Sequence, residues 1–171
     1  MQLFRWNRRL PAKLNPYKSE MNTIIFKAIF LVGTVLMSVI RAPYQKKIQR
    51  NVIVDDRKTR QEIWLLLFVL LVIFILPIIF IFTPWLGFAD YSLPSWANAL
   101  GVCLLAISLW LFWLSHHDLG TNWSPTLQVR QNHSLITEGI YRKIRHPMYT
   151  SLWLWCIAQS LLLTNWLAGL S

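Results

Sequence analysis

The chain has 171 residues, 55% of them apolar and only 14% charged, with a formal net charge of +10. A soluble domain of this size carries about a quarter charged residues, and here the apolar excess is gathered into long blocks, which excludes an ordinary soluble globule. No short alternating segments of the kind that build a transmembrane barrel occur, and the Lys and Arg residues sit beside the apolar blocks rather than in a separate basic module, so nucleic acid is not an expected partner; membrane lipid is.

In chain order, residues 1–20 form a basic tail with Pro11 and Pro16. Met21 stands directly before the first apolar span, so either Met21 is the biological start or residues 1–20 are a dispensable, non-native extension. The first span runs over 22–40, with Lys27 near one end, where its stem reaches the interface. Residues 41–62 carry Arg41, Lys46, Lys47, Arg50, Arg57, Lys58 and Arg60, the mark of a cytoplasmic loop. The second span, 63–84, starts with Ile63 to Phe82, a run without a charge, long enough to cross a hydrocarbon core of about 30 Å. Pro77 predicts a kink in it. The loop 85–95 lacks Lys and Arg and is placed outside. The third span, 96–114, brings residues 115–150 back to the side of loop 41–62. The basic tail at 1–20 conflicts with this topology unless those residues are not native, the larger loop charge wins, or the first helix does not fully cross. A last apolar run, 151–163, is short for a span, and 151–171 reads as a helix and the start of a hairpin. Cys103 and Cys156 fit no metal or redox spacing and read as packing residues.

The expected fold is therefore an all-α, polytopic transmembrane helix bundle: three transmembrane helices over 21–114, then a polar cytoplasmic segment over 115–150. All four histidines, at 116, 117, 133 and 146, lie in that segment. So do Gly139, which permits a tight turn, and Pro147. Proline keeps the preceding His146 out of the helical region and suits the first position of the next helix. Arg145 and His146 are thus expected at a helix N-terminus in the membrane interface, where polar residues mark a functional site. His116 and His117, adjacent on a helix end, point to different faces. With no Cys or extra carboxylate to complete a ligand set, no metal is predicted. The Trp153 and Trp155 pair is expected to face lipid and neighbouring helices.

The stretch His116-His117-Asp118-Leu119-Gly120-Thr121-Asn122-Trp123-Ser124, then His133-Ser134-Leu135-Ile136-Thr137-Glu138-Gly139-Ile140-Tyr141, then Arg145-His146-Pro147-Met148-Tyr149, closely resembles the isoprenylcysteine carboxyl methyltransferase family, in particular its prokaryotic integral-membrane members. The resemblance implies methyl transfer from S-adenosyl-L-methionine to a lipophilic or lipid-linked acceptor. It implies a cofactor site at His133, Ser134, Leu135, Ile136, Tyr141, His146, Pro147, Met148 and Tyr149, with Gln128 the nearest match to an upstream Gln contact, and a positioning role for Arg145. No catalytic base is assigned. The glycines form no G-x-G-x-x-G pattern, in keeping with a non-Rossmann cofactor site.

Family members continue past the position of Ser171 into a further helix and a tail bearing an Arg and a Glu pair. The resemblance therefore implies a C-terminally truncated chain, expected to bind the cofactor poorly and to be inactive as given. The leading expectation is methylation of a lipophilic carboxylate or related small acceptor. A phospholipid N-methyltransferase, whose amine acceptor needs deprotonation, and an inactive truncated membrane protein or structural subunit are the alternatives.

Overall fold

A computed structural model of the chain describes residues 16–49, 53–56, 59–120, 128–130 and 136–169. The order is α1 (Pro16–Gln49), β1 (Ile53–Asp56), α2 (Arg60–Leu70), a π-helical turn (Leu71–Ile75), α3 (Leu76–Phe82), α4 (Ser95–Leu119), β2 (Gln128–Arg130) and α5 (Pro147–Leu163). Three helical stretches, Met21–Lys46, Arg60–Phe82 and Ser95–Leu119, are long and apolar enough to cross a membrane. The all-α transmembrane bundle is the observed architecture. Outside it, β1 and β2 pair antiparallel, Ile53 with Arg130 and Asp56 with Gln128, with a bulge between Ile53 and Asp55. This small ladder joins the two polar segments, so the C-terminal end of α1, the start of α2, the end of α4 and the start of α5 share one end of the bundle.

The helices extend beyond the apolar blocks. α1 runs past residue 40 to Gln49, because Lys, Gln and Arg are good helix formers and need no lipid to continue a helix. α4 runs to Leu119, where Gly120, at φ 53°, ends it. At the other end of the bundle, Lys27 places its Nζ 3.9 Å from the centre of the Phe80 ring and 3.4 Å from the Phe80 carbonyl, a cation against the last turn of α3.

The second span is one helix with a defect. α2 buries none of its residues, and Trp64, Leu65 and Phe68 stand exposed along it, as befits a helix bathed in lipid. The π turn Leu71–Ile75 turns Val72 and Ile73 into the core. A widened turn stands just before Pro77, where the sequence predicts a disturbed helix.

α4 and α5 form the most extensive helix pair. A Cβ on Gly101 would come within 2.9 Å of Leu161 Cβ, so only glycine allows this approach. Polar side chains cross the pair: Ser108 Oγ donates to the Ser151 carbonyl at 2.7 Å and Asn98 Nδ2 to the Leu161 carbonyl at 2.8 Å. In hydrocarbon such bonds hold helices that gain nothing from apolar burial alone. Trp155, fully buried, packs on Phe30 of α1 with ring centres 5.3 Å apart.

Beyond α5, Thr164 adopts a left-handed conformation at φ 43° and ψ 41°, and residues 165–169 turn back onto the bundle. Buried Asn165 ties that turn down. Its Nδ2 donates to the Leu86 carbonyl and to Asp90 Oδ1, both at 2.7 Å, while its Oδ1 accepts from the N–H groups of Leu167 and Ala168. The loop after α3 is clamped to the end of α5, and the Tyr91 hydroxyl adds a bond to the Ser160 carbonyl.

Candidate active site

The end of the bundle that carries the ladder holds a cavity of about 450 Å³, within the range of small-molecule sites. One side is polar: His116 and Leu119 from the end of α4, Tyr141 from the following turn, and Arg145, His146, Pro147, Met148 and Tyr149 from the start of α5. The other side comes from α1 (Met37, Ser38, Arg41) and from the lipid-facing span (Leu66, Val69, Ile73, Phe74).

Local sequence explains the polar side. Pro147 starts α5, and His146 precedes it at φ −132° and ψ 65°, outside the helical region as the residue before proline must be. The His146 carbonyl accepts from Thr150 N at 3.0 Å and from Thr150 Oγ1 at 3.1 Å. The remaining N–H groups of this first turn, among them those of Met148 and Tyr149, lack intrahelical acceptors, which makes the start of α5 a partial positive charge. The His146 and Tyr149 rings lie 5.8 Å apart.

Tyr141 sits in the short 3-10 turn Gly139–Arg142, and that turn is anchored to α4. Asp118 Oδ2 accepts the Ile140 N–H at 2.7 Å, and Asp118 Oδ1 lies 3.0 Å from Nδ1 of exposed His117. Gly139 has φ 61°, and a Cβ there would overlap the Asp118 carboxylate. The phenol of Tyr141 is pushed up to about 12, first by burial and then by the Asp118 charge, so it is neutral and donor-competent at neutral pH.

His116 and His117 part ways, as adjacent positions on a helix must. His116 is fully buried. Its Nδ1 lies 2.9 Å from the Phe112 carbonyl, an acceptor only, which assigns the hydrogen to Nδ1. Its ring packs between Phe112 and Tyr44 of α1, with centres 4.2 Å and 5.3 Å away.

Of the residues singled out from sequence, Tyr141, Arg145, His146, Pro147, Met148 and Tyr149 come together on this cavity. Ile136 lines a neighbouring polar recess with His117, Asp118 and Gly139. The Gln128 backbone pairs in the ladder. His133, Ser134 and Leu135 lie outside the described residues. Sequence reasoning missed His116, Asp118 and Arg41 as parts of the site. Asp118 was signalled by the Asp-Leu-Gly run that ends α4; Arg41 was indistinguishable from the loop cations beside it. Among the described residues, no three His, Cys, Asp or Glu side chains gather as a metal site.

Comparison with known proteins bears on the same segment. Residues 99–170 match the model of the isoprenylcysteine carboxyl methyltransferase (ICMT) family. The chain is 27% identical over 79 residues to human protein-S-isoprenylcysteine O-methyltransferase, covering 45% of this chain and 28% of the relative. It is 27% identical over 77 residues to the rat protein, 44% and 27%, and 25% identical over 72 residues to protein-S-isoprenylcysteine O-methyltransferase B of Arabidopsis thaliana, 41% and 36%. The matched stretch thus spans about a quarter to a third of the length of these relatives. Over residues 99–170, from α4 through the turn that follows α5, the chain is similar to the isoprenylcysteine carboxyl methyltransferase family.

Proposed function

We propose that this chain is an integral membrane methyltransferase that uses S-adenosyl-L-methionine to methylate a lipophilic carboxylate, with its site facing the cytoplasm. The observation that carries the reading is the single cavity that gathers Tyr141 and the run Arg145 to Tyr149 opposite an apolar wall of the lipid-facing span.

The residues present suit the cofactor. A neutral phenol, two aromatic rings and the positive start of α5 offer hydrogen bonding, stacking surface and a place for a carboxylate. Arg145 adds a charge at the same helix start. We assign Tyr141, Arg145, His146, Pro147, Met148 and Tyr149 to this role, with Ile136, Gln128 and the His133-Ser134-Leu135 run as its further members. The bound cofactor supplies an electrophilic methyl group on a sulfonium sulfur.

A carboxylate acceptor requires alignment and removal from water rather than a general base. Orientation of two reactants contributes about 7–11 kcal/mol in well-placed systems. The apolar wall excludes water where opposite charges neutralise. The Asp118 anchor holds Tyr141 in place through the Ile140 N–H. No acidic side chain lines the cavity among the described residues, which disfavours the cationic amine of a phospholipid N-methyltransferase substrate. The basic segment 41–62, which runs from the end of α1 to the start of α2, supports the cytoplasmic orientation.

Calorimetric titration of S-adenosylhomocysteine into the detergent-solubilised chain tests the reading. Saturable binding, weakened by Tyr141→Ala, is expected; no binding by the folded protein overturns it.

A further inference from the structure

We propose that Arg41, on α1, holds the anionic head of the methyl acceptor. The inference rests on the methyl-transfer reading above and adds to it a residue that lies outside the matched stretch 99–170.

Arg41 is half-buried and lines the cavity together with Met37 and Ser38. These positions are four and three residues apart, so all three lie on one face of α1. Leu66, Val69 and Ile73 of the second span line the same side of the cavity. Arg41 therefore stands where the apolar wall gives way to the polar end of the site. One turn further along α1, Tyr44 packs on His116, which fixes this part of α1 against α4.

Two cations reach the cavity from separate elements, Arg41 from α1 and Arg145 from the start of α5, and no carboxylate lines it among the described residues. Two anionic groups must be accommodated during the reaction, one on the cofactor and one on the acceptor. Arg145 stands beside the positive start of α5, on the side of the residues assigned to the cofactor. Arg41 stands beside the wall that a lipid tail would follow. A guanidinium presents a planar fork that grips a carboxylate through two bonds and fixes its direction.

The chemistry gives this grip a further consequence. A carboxylate lone pair forms the new O–CH3 bond while the S–CH3 bond breaks and its electron pair stays on sulfur; no proton is exchanged. The acid becomes a neutral ester, so the attraction between the acceptor and Arg41 weakens. The same residue that orients the acceptor therefore favours departure of the product.

The test compares dodecylthioacetate with its methyl ester, titrated into the full chain in zwitterionic nanodiscs. The acid is expected to bind at least about tenfold more tightly than the ester, the scale of a charge-assisted hydrogen bond. Arg41→Gln should abolish the preference and Arg41→Lys retain part of it, with S-adenosylhomocysteine affinity unchanged in both. Ser38→Asp offers a second route: a carboxylate three residues before Arg41 competes for it, so acid binding should fall and ester binding should not. A preference that survives Arg41→Gln or Ser38→Asp, or its absence in the unaltered chain, overturns the proposal. Loss of S-adenosylhomocysteine affinity in Arg41→Gln also overturns it, by assigning Arg41 to the cofactor. Should the unaltered chain bind no S-adenosylhomocysteine, the methyl-transfer reading fails while the acid-ester comparison still decides the role of Arg41.

Discussion

The side-chain amide of Gln159 donates to the Val72 carbonyl at 3.2 Å, from α5 to the π turn of the second span. The cause is covalent. In that turn the Leu76 N–H reaches back to the Leu71 carbonyl. The next donor in the series would be residue 77, which is proline and has none. Val72 is left with a buried acceptor, and Gln159 serves it. The same Nε2 donates to the Ala168 carbonyl at 2.7 Å. Gln159→Leu should therefore cost about 1–3 kcal/mol. In a Pro77→Ala background, where the helix regains a donor of its own, the cost should shrink by about 0.5–1 kcal/mol. Thermal unfolding of the four proteins in one detergent measures the difference; additive losses would refute the coupling.

The Asp118–Gly139 contact makes a second prediction. Gly139→Ala meets both a left-handed backbone, worth about 1–2 kcal/mol, and the Asp118 carboxylate. The Ile140 N–H bond breaks and Tyr141 loses its anchor. Affinity for S-adenosylhomocysteine should fall by about tenfold, equivalent to about 1.4 kcal/mol, and Asp118→Ala should do the same. Gly87→Ala is the control. Gly87 has no positive φ, and the nearest atom to an added Cβ is Asp90 Oδ2 at 3.9 Å, so binding should not change.

These two relationships show what the sequence could and could not disclose. The three spans were legible because membrane insertion depends on blocks of composition, and Ile63 to Phe82 is such a block. The start of α5 was legible because Pro147 acts on its own neighbours. The π turn was not. Proline predicts a disturbed helix, but the choice of a widened turn depends on a donor at Gln159, distant in sequence. Nor was the burial of His116 over His117, since the choice between adjacent residues is made by Phe112 and Tyr44. Arg41 read as one more topological charge, because only the packing of α1 on α4 turns it toward the cavity.

Tyr141 carries the pH prediction. Its phenol is raised to about 12 in the folded protein, against about 10 in an unfolded chain. The folded state therefore binds this proton more tightly. Its contribution to stability is fully present below about pH 10 and is lost as pH rises toward 12. The difference in absorbance at the tyrosinate band between the unaltered chain and Tyr141→Phe should show one group titrating near the upper value. A midpoint at the ordinary tyrosine value would mean that Tyr141 is neither buried nor beside Asp118.

Trp153 and Trp155 give the sharpest contrast in stability. Sequence expects the pair to face lipid and neighbouring helices, and two residues along a helix, more than half a turn, divide those two roles between them. Trp153 is 72% exposed, whereas Trp155 is fully buried and packs at a tilt against Phe30. The first faces lipid and the second fills the junction of α1 with α5. Trp155→Ala should open a cavity and cost about 3–5 kcal/mol. Trp153→Ala exchanges one apolar surface for another against lipid and should stay within about 0.5 kcal/mol, as for substitutions outside packed sites. Detergent-phase thermal unfolding of the two variants checks both values. Because the Phe30 ring is the immediate neighbour, Phe30→Ala combined with Trp155→Ala should lose less than the sum of the two single losses. A strictly additive pair would mean that α1 and α5 do not meet at this point.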